Sequence, residues 1–418
     1  MAATAPVQTD ARAAQGNELR ALSTLAFEEL SRFPGALRDM HLGIAERAFR
    51  GVGPTGRPVQ VIHDALSAGA YGAIASAARL VGRSADVAMQ ANGVGEDLPL
   101  STTREGSAVI AALNGLIGDH LERSSSPLHQ HATVRVDGEP VAIARHALDA
   151  AFPGAGPRLV VFLHGLMGTE FYWQWGAEGE VTYGSRLEDE LGLTPVYLRY
   201  NSGRHISENG RSVAGLIGQL TAEWPVEVER ITLVGHSMGG LVARSACHHA
   251  ATYERPWTGR VSHVISLGTP HLGAPLEQGA HTAAVALHKL PETRMLAGLL
   301  RRRSAGIRDL RHGSLVDEDW RGRDPEALRA AACQEVPLLD GATHCFVSAS
   351  VTRDPRHPVG RLLGDTLVLV PSGTGRGRTR RIPLDARYGH HVGPTHHLAL
   401  LNHPEVYERL HEWLGPPA

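Results

Sequence analysis

Five short apolar runs, separated by segments with helical spacing, constrain the fold of this chain more than any other feature. The runs are Leu159–Leu163, Pro195–Leu198, Ile231–Val234, Val261–Leu267 and Cys345–Val351. Continuous apolar runs of this length are typical of strands buried on both faces, as in parallel sheets. Because helical patterns such as Gly210–Trp224 and Leu241–Ala250 lie between them, the sequence predicts a mostly parallel α/β sheet. Ligands of such sheets bind at the carboxyl ends of the strands.

The run Ile231–Val234 leads directly into the segment Gly-His-Ser-Met-Gly-Gly at 235–240, and a helical pattern follows at once. A Gly-x-Ser-x-Gly nucleophile elbow requires this strand–turn–helix context. The glycines allow a sharp backbone turn that holds the serine in a strained conformation. The sequence therefore predicts Ser237 as a catalytic nucleophile, and an ordinary glycine-rich turn is the alternative.

The first apolar run ends in a second glycine-containing loop, His164-Gly-Leu-Met-Gly168. A serine that attacks a carbonyl carbon creates an oxyanion, which needs N–H donors that are already in position. We expect one donor to be the backbone N–H of Met238, directly after the predicted nucleophile. The other is expected to be the backbone N–H of Leu166.

Candidates for a catalytic acid and a catalytic base follow the later runs. Asp365 precedes an apolar segment and is expected to be held rigidly at a sheet edge, so it is favoured as the acid over Asp354. His397 lies before the last helical pattern and is favoured as the base, with His396 as the alternative. His271 follows the run Val261–Leu267 and is expected to be a pocket or structural residue, because it precedes both acids in the chain.

Four segments resemble lipases and esterases of the α/β-hydrolase superfamily. They are Val-Gly-His-Ser-Met-Gly-Gly-Leu-Val-Ala-Arg at 234–244, Leu-Gly-Thr-Pro-His-Leu-Gly-Ala-Pro at 267–275, Gly-Asp-Thr-Leu-Val at 364–368, and His-Leu-Ala-Leu-Leu-Asn-His-Pro-Glu-Val-Tyr at 397–407. Within that superfamily the chain is similar to bacterial relatives of GPI inositol-deacylase over residues 155–415. The sequence departs from the family at the acid, where Thr366 follows Asp365 in place of the family's usual Gly.

The resemblance implies an α/β-hydrolase fold with a doubly wound sheet and a Ser237, Asp365 and His397 triad. It also implies the oxyanion donors Leu166 and Met238. The implied activity is hydrolysis of apolar acyl esters through an acyl-enzyme. Two alternatives stay open, namely an acyltransferase that uses the same acyl-enzyme and a non-catalytic lipid-binding hydrolase fold.

The 418 residues are long enough for more than one domain. We expect a disordered tail over 1–17, a helical N-terminal region over 18–125 and a catalytic domain over 130–415. An insertion at 276–341 within the catalytic domain reads as a helical cap or lid. Its apolar residues Met295, Leu296, Leu299 and Leu300 lie beside three arginines, a pattern that also fits a core face next to a solvated helix end.

Charge and composition exclude several other classes. The net charge of −2 provides no overall positive field, so nucleic acid is not expected as a partner. Two Arg-rich stretches, at 301–311 and 376–387, leave peripheral contact with a lipid surface open. Three cysteines imply no disulfide framework, and neither a signal peptide nor a spanning helix is recognisable, so a cytoplasmic location is expected.

The 24 histidines do not form a recognisable metal-binding pattern. Neither a His-Glu-x-x-His nor a Cys-x-x-Cys motif accompanies them, and adjacent histidines on a strand point to opposite faces. No metal and no organic cofactor is predicted. The sequence assigns no oligomeric state.

Overall fold

The computed structural model describes most of the predicted catalytic domain and little of the region before it. The described residues are 17–18, 20–22, 99–177, 179, 181–274, 303–324, 333–377 and 380–415. Most of the predicted tail and of the predicted helical N-terminal region lies outside them. The residues Met295, Leu296, Leu299 and Leu300 of the predicted lid also lie outside them. The predictions of a tail and of a lid therefore stay predictions.

The chain divides into two compact units, and the larger one contains the sheet. This unit comprises Arg104–Ser124, His129–Gln278 and Arg303–Ala418. The smaller unit is represented among the described residues only by 17–18, 20–22, 99–103 and 125–128. The helix Arg104–Arg123 falls within the predicted N-terminal region, yet it belongs to the same compact unit as the sheet.

Eight strands form one sheet in the order β2-β1-β4-β3-β5-β6-β7-β8. Their bounds are β1 Thr133–Val136, β2 Glu139–Val141, β3 Arg158–Leu163, β4 Thr194–Arg199, β5 Arg230–His236, β6 Val261–Leu267, β7 Thr343–Ala349 and β8 Gly389–Val392. Strands β1 and β2 form an antiparallel hairpin, and β1 also pairs antiparallel with β4. All pairs from β4 to β8 are parallel. The prediction of a mostly parallel sheet is confirmed.

Nine α-helices surround the sheet in the described part of the chain. They are α1 Arg104–Arg123, α2 Arg145–Ala151, α3 Tyr183–Leu191, α4 Ile206–Glu223, α5 Met238–Thr252, α6 Ala305–Leu310, α7 Pro358–Leu363, α8 Val370–Gly373 and α9 Pro404–Leu414. Helices α4 and α5 correspond to the two helical patterns that the sequence predicts between the apolar runs.

The side chains of β3 show why the central runs are apolar throughout. Leu159, Val161 and Leu163 belong to a core on one face of the sheet, together with buried residues of α4 and α5. Val160 and Phe162 belong to a core on the other face, together with α3 and α9. Since successive strand residues point to opposite faces, a strand covered on both sides needs an apolar residue at every position.

A buried ion pair joins the end of β4 to the loop that follows β3. The guanidinium of Arg199, with a fully buried side chain, donates from Nε to Oε2 of Glu170 at 2.6 Å and from Nη2 to Oε1. Glu170 opens the short 3₁₀ helix Glu170–Gln174 directly after the loop that contains Leu166. Two planar groups that meet in this bidentate way fix each other's orientation as well as their distance.

We expect Glu170→Gln to lower the free energy of unfolding by about 3 kcal/mol, because it removes the carboxylate charge that pairs with the buried Arg199 guanidinium. Urea denaturation of the purified chain measures the change. Glu190→Gln is the matched control, since Glu190 forms an exposed pair with Arg186 one helical turn away and such pairs contribute little. Equal stabilities of the two variants would contradict the expected role of the buried pair.

Candidate active site

Ser237 lies between β5 and α5, in the turn that the sequence predicts as an elbow. Its φ of 54° and ψ of −122° lie in a region that residues with side chains rarely adopt. The backbone can make this tight turn because two residues close to Ser237, Gly235 and Gly239, lack side chains. A Cβ on Gly235 would lie 2.4 Å from the carbonyl carbon of Gly239, and a Cβ on Gly239 would lie 2.1 Å from the carbonyl oxygen of Leu163. The elbow therefore packs directly against the end of β3.

The loop after β3 lies beside the elbow. A Cβ on Gly165 would lie 3.1 Å from the Cβ of Ser237. The loop forms a turn in which the Gly168 N–H donates to the Gly165 carbonyl at 3.1 Å. Met167 occupies a left-handed conformation with φ of 59°, and its N–H donates to Oγ of Ser202 at 2.9 Å.

The two predicted oxyanion donors lie on either side of this contact. The Leu166 N–H belongs to the turn after β3, and the Met238 N–H is the first of helix α5. Neither donates a hydrogen bond to a described residue. The first N–H groups of a helix have no partner within the helix, and they favour negative charge.

His397 and Asp365 form a buried pair. The Nδ1 of His397 lies 2.8 Å from Oδ2 of Asp365, and both side chains are at least 96% buried. The other carboxylate oxygen accepts the N–H groups of Leu367 at 3.0 Å and Val368 at 2.8 Å. In addition, the His397 N–H donates to the Asp365 carbonyl at 2.9 Å. The pair is held by both backbone and side-chain hydrogen bonds.

Asp365 does not lie at a sheet edge, although the sequence predicts that it does. The apolar segment after it is not a strand at the sheet edge; that edge is β8, and residues 365–369 form a loop between α7 and α8. Rigidity arises instead because the carboxylate accepts the amides that follow it in its own loop. Thr366, at the position where the family often has Gly, adopts a φ of 87°.

Contacts along the end of β6 place His397 beside the elbow. The Ser237 N–H donates to the carbonyl of Leu267 at 2.8 Å. The next residue, Gly268, has a φ of 58°, and a Cβ there would lie 3.1 Å from Cε1 of His397. The ring of His236, the residue before the serine, has its centroid 4.8 Å from that of His397. The Nε2 of His397 is buried and has no hydrogen-bond partner among the described residues.

The loop after His397 is anchored to the neighbouring helix α3. The hydroxyl of Tyr183 donates to the Leu400 carbonyl and accepts the His403 N–H, both at 2.8 Å. The side-chain amide of Asn402 donates to the carbonyls of Trp173 and Trp175. These bonds join the loop of residues 398–403, called the imidazole loop below, to the segment that also contains Glu170.

Two further histidines that the sequence analysis did not assign to the site are buried within it. Burial and the neighbouring His397 lower the pKa of His236 to about 3, and its Nε2–H donates to the His397 carbonyl at 3.2 Å. Burial lowers the pKa of His164 to about 4; its Nδ1–H donates to the Gly165 carbonyl, and its Nε2 accepts the Tyr200 N–H. In the sequence, the only indication that these histidines belong to the site is that His164 begins the loop after β3 and His236 directly precedes Ser237.

The alternative residues lie elsewhere. Asp354 and His396 are exposed, and the carboxylate of Asp354 accepts the N–H of Arg356 within its own turn. His271 is fully buried, with Nδ1 3.4 Å from a guanidinium nitrogen of Arg244. Burial and then the charge of Arg244 lower the pKa of His271 well below its usual value. The structure thus brings together Ser237, Asp365 and His397 at one edge of the sheet.

A nucleophile elbow after β5 in a mostly parallel eight-stranded sheet defines the α/β-hydrolase fold, and this prediction is confirmed. Residues 197–321 match the family model of the PGAP1-like alpha/beta domain. The predicted resemblance to relatives of GPI inositol-deacylase is thereby confirmed over this segment. The matched segment includes Ser237 and ends before Asp365 and His397.

Solved structures with similar folds are distant in sequence. The lipase BlEst2 of Bacillus licheniformis in its propeptide form is 17% identical, with a TM-score of 0.42, over 64% of this chain and 51% of that chain. Staphylococcus hyicus lipase is 14% identical, with a TM-score of 0.36, over 62% and 95%. An esterase from Pyrobaculum calidifontis is 14% identical, with a TM-score of 0.36, over 76% and 91%.

The chain therefore spans about half the length of the propeptide form of BlEst2. A comparison with curated protein sequences gives no match. Within the described ranges, no three acidic, histidine or cysteine side chains cluster in a way that could hold a metal ion. None of the helices in those ranges combines the length and apolar character needed to cross a bilayer.

The low pKa of His236 predicts an acid-dependent loss of stability. The unfolded chain takes up a proton at this histidine below about pH 6.5, whereas the folded chain does so only near pH 3. Its contribution to stability is therefore complete above pH 6.5 and falls as the pH is lowered toward 3, by up to about 1.4 kcal/mol per pH unit.

We expect His236→Gln to reduce the pH dependence of the free energy of unfolding by roughly one proton between pH 4 and 6. Glutamine keeps an N–H donor near the position of Nε2 but does not titrate. Urea denaturation at several pH values measures the slope, and His120→Gln on the surface controls for the removal of an imidazole. A slope identical to that of the unaltered chain would show that His236 is not held neutral by burial.

Proposed function

We propose that this protein is a serine hydrolase that cleaves carboxylic esters, with Ser237 as nucleophile, His397 as general base and Asp365 as the acid that orients it. The observation that carries the proposal is the buried Asp365–His397 pair, at 2.8 Å, beside a serine held at a φ of 54°. A binding module needs neither a strained serine nor a buried acid–histidine pair at the same sheet edge.

The reaction proceeds in two halves. In the first, Nε2 of His397 takes the proton of the Ser237 hydroxyl while Oγ bonds to the ester carbonyl carbon. The oxyanion so formed accepts hydrogen bonds from the N–H groups of Leu166 and Met238. The carbon–oxygen bond to the alcohol then breaks, and the alcohol leaves with the proton from His397. In the second half, water repeats these steps and releases the carboxylic acid.

Charge in the site supports this sequence of proton transfers. The imidazolium that forms at His397 lies against the carboxylate of Asp365 in a site that excludes water, where the attraction between opposite charges is strong. His236 contacts the same imidazole but stays neutral above about pH 3. The imidazolium therefore meets one negative group and no neighbouring positive histidine at working pH.

We further propose that the acyl group of the substrate is apolar. The sequence resemblance to lipases supports this, as does an exposed tryptophan next to the imidazole loop. Trp175, whose side chain is 53% exposed, lies against this loop because its carbonyl accepts the Asn402 amide at 2.8 Å. A lid formed by 276–341 and peripheral contact with lipid belong to the same proposal.

Hydrolysis of acyl esters graded from two to sixteen carbons tests the proposal. We expect turnover by the full chain, and a loss of at least about 10³-fold in kcat for Ser237→Ala and for His397→Ala, because both act in one unit. Asp365→Asn is expected to lose about 10²-fold or more by disturbing the imidazole. Asp354→Asn, which alters an exposed acid in a turn, is the matched control and is expected to retain activity.

Absence of turnover with every ester, or unchanged turnover in Ser237→Ala, would refute the proposed function. Retention of activity by Asp365→Asn with its loss in Asp354→Asn would assign the acid to the other residue. Product analysis with added alcohols separates hydrolysis from acyl transfer, because a transferase forms a new ester in place of the free acid.

A further inference from the structure

Helix α1 packs directly on the loop that contains the proposed oxyanion donor Leu166. A Cβ on Gly115, in the middle of this helix, would lie 2.3 Å from Cγ of Met167 and 3.2 Å from its backbone nitrogen. A side chain at this point of the helix would collide with the side chain of Met167 and press on the backbone of the loop. Helix α1 and the loop belong to the same compact unit.

One turn further along the helix, Gly118 makes a second close contact, with the loop that follows β4. The side chain of Asn201 donates to the Gly118 carbonyl at 2.9 Å and accepts the Gly203 N–H at 2.9 Å. A Cβ on Gly203 would lie 2.0 Å from the carbonyl oxygen of Asn114. This loop also contains Ser202, whose hydroxyl accepts the Met167 N–H. Helix α1 thus contacts Met167 directly and also holds the residue that binds its amide.

The helix departs from regular geometry at the same place. Ile117, between the two glycines, has φ of −138° and ψ of 22° in an otherwise helical segment. The carbonyl of Gly115 accepts the hydroxyl of Ser304 at 2.6 Å, and Ser304 begins helix α6. Because a hydroxyl outside the helix satisfies this carbonyl, the helix can bend there without leaving a buried acceptor unpaired.

We propose that helix α1 is a built-in support of the oxyanion turn and that Gly115 is a positioning residue for the reaction. Met167 is not a glycine, yet its backbone adopts a left-handed conformation. Such a conformation persists only where surrounding contacts maintain it. Its neighbour in the turn is Leu166, so a displaced Met167 carries the Leu166 N–H away from the oxyanion. This inference rests on the proposed function and extends the active site to a helix that precedes the sheet in the chain.

Gly115→Ala in the full chain tests the proposal. We expect kcat for a short-chain ester to fall about tenfold or more, with KM within about twofold, because the lost donor acts in the transition state. The matched control is Gly215→Ala, also a helical glycine, around which no atom lies within 4 Å of the added Cβ. It is expected to keep the kcat of the unaltered chain.

A double-mutant cycle with Met167→Ala assigns the effect to the contact. Shortening Met167 removes the Cγ that the new methyl group meets, so Gly115→Ala is expected to lower kcat less in this background. Equal losses in both backgrounds would show that the two residues do not act on each other. An unchanged kcat in Gly115→Ala alone would overturn the proposal even though the enzyme hydrolyses esters.

Hydrogen exchange gives a measurement that does not depend on catalysis. We expect faster exchange of the amides in a peptide covering residues 164–169 in Gly115→Ala than in Gly215→Ala. Unchanged exchange in this peptide would refute support of the turn by helix α1. If exchange in this peptide changes but neither the unaltered chain nor any variant hydrolyses an ester, the proposed function fails. The proposed support of the turn by helix α1 then still stands.

Discussion

The close approach of the first turn of α5 to the end of β3 is the constraint on which the rest of the site depends. The backbone at Gly239 lies so near the Leu163 carbonyl that no side chain fits between them. This contact places Ser237 against Gly165 and therefore brings the loop after β3 beside the serine. Parallel pairing then aligns the ends of β6 and β7 at the same edge. The geometry of the reacting groups follows from packing of backbone on backbone.

Rigidity in the site comes from polar groups that are buried and almost fully paired. The Asp365 carboxylate, the Arg199–Glu170 ion pair and the hydroxyl of Tyr183 each join two segments that are distant in sequence. Buried polar groups are costly when unpaired, so each of these bonds resists displacement of its loop. Nε2 of His397 and the N–H groups of Leu166 and Met238 have no hydrogen-bond partner among the described residues.

Two neutral histidines illustrate how the fold sets chemistry that residue type alone does not. His164 and His236 have the same side chain as His397, yet burial lowers the pKa of each to about 4 and about 3. Both act as fixed hydrogen-bonding groups, His164 in the loop after β3 and His236 beside His397. No spacing in the sequence separates these roles, because they depend on the solvent exclusion and partners that other elements supply.

Five of the eight strands, their mostly parallel arrangement and the elbow are predictable from the sequence, because apolar runs and glycine placement are local properties. The sequence also singled out Asp365 and His397, although the expected sheet edge after Asp365 is a loop. The meeting of these two side chains, 32 positions apart in the chain, depends on how their loops pack in the folded protein. The tertiary structure alone decided that helix α1 lies against Met167, since which glycine faces which loop depends on how distant elements pack.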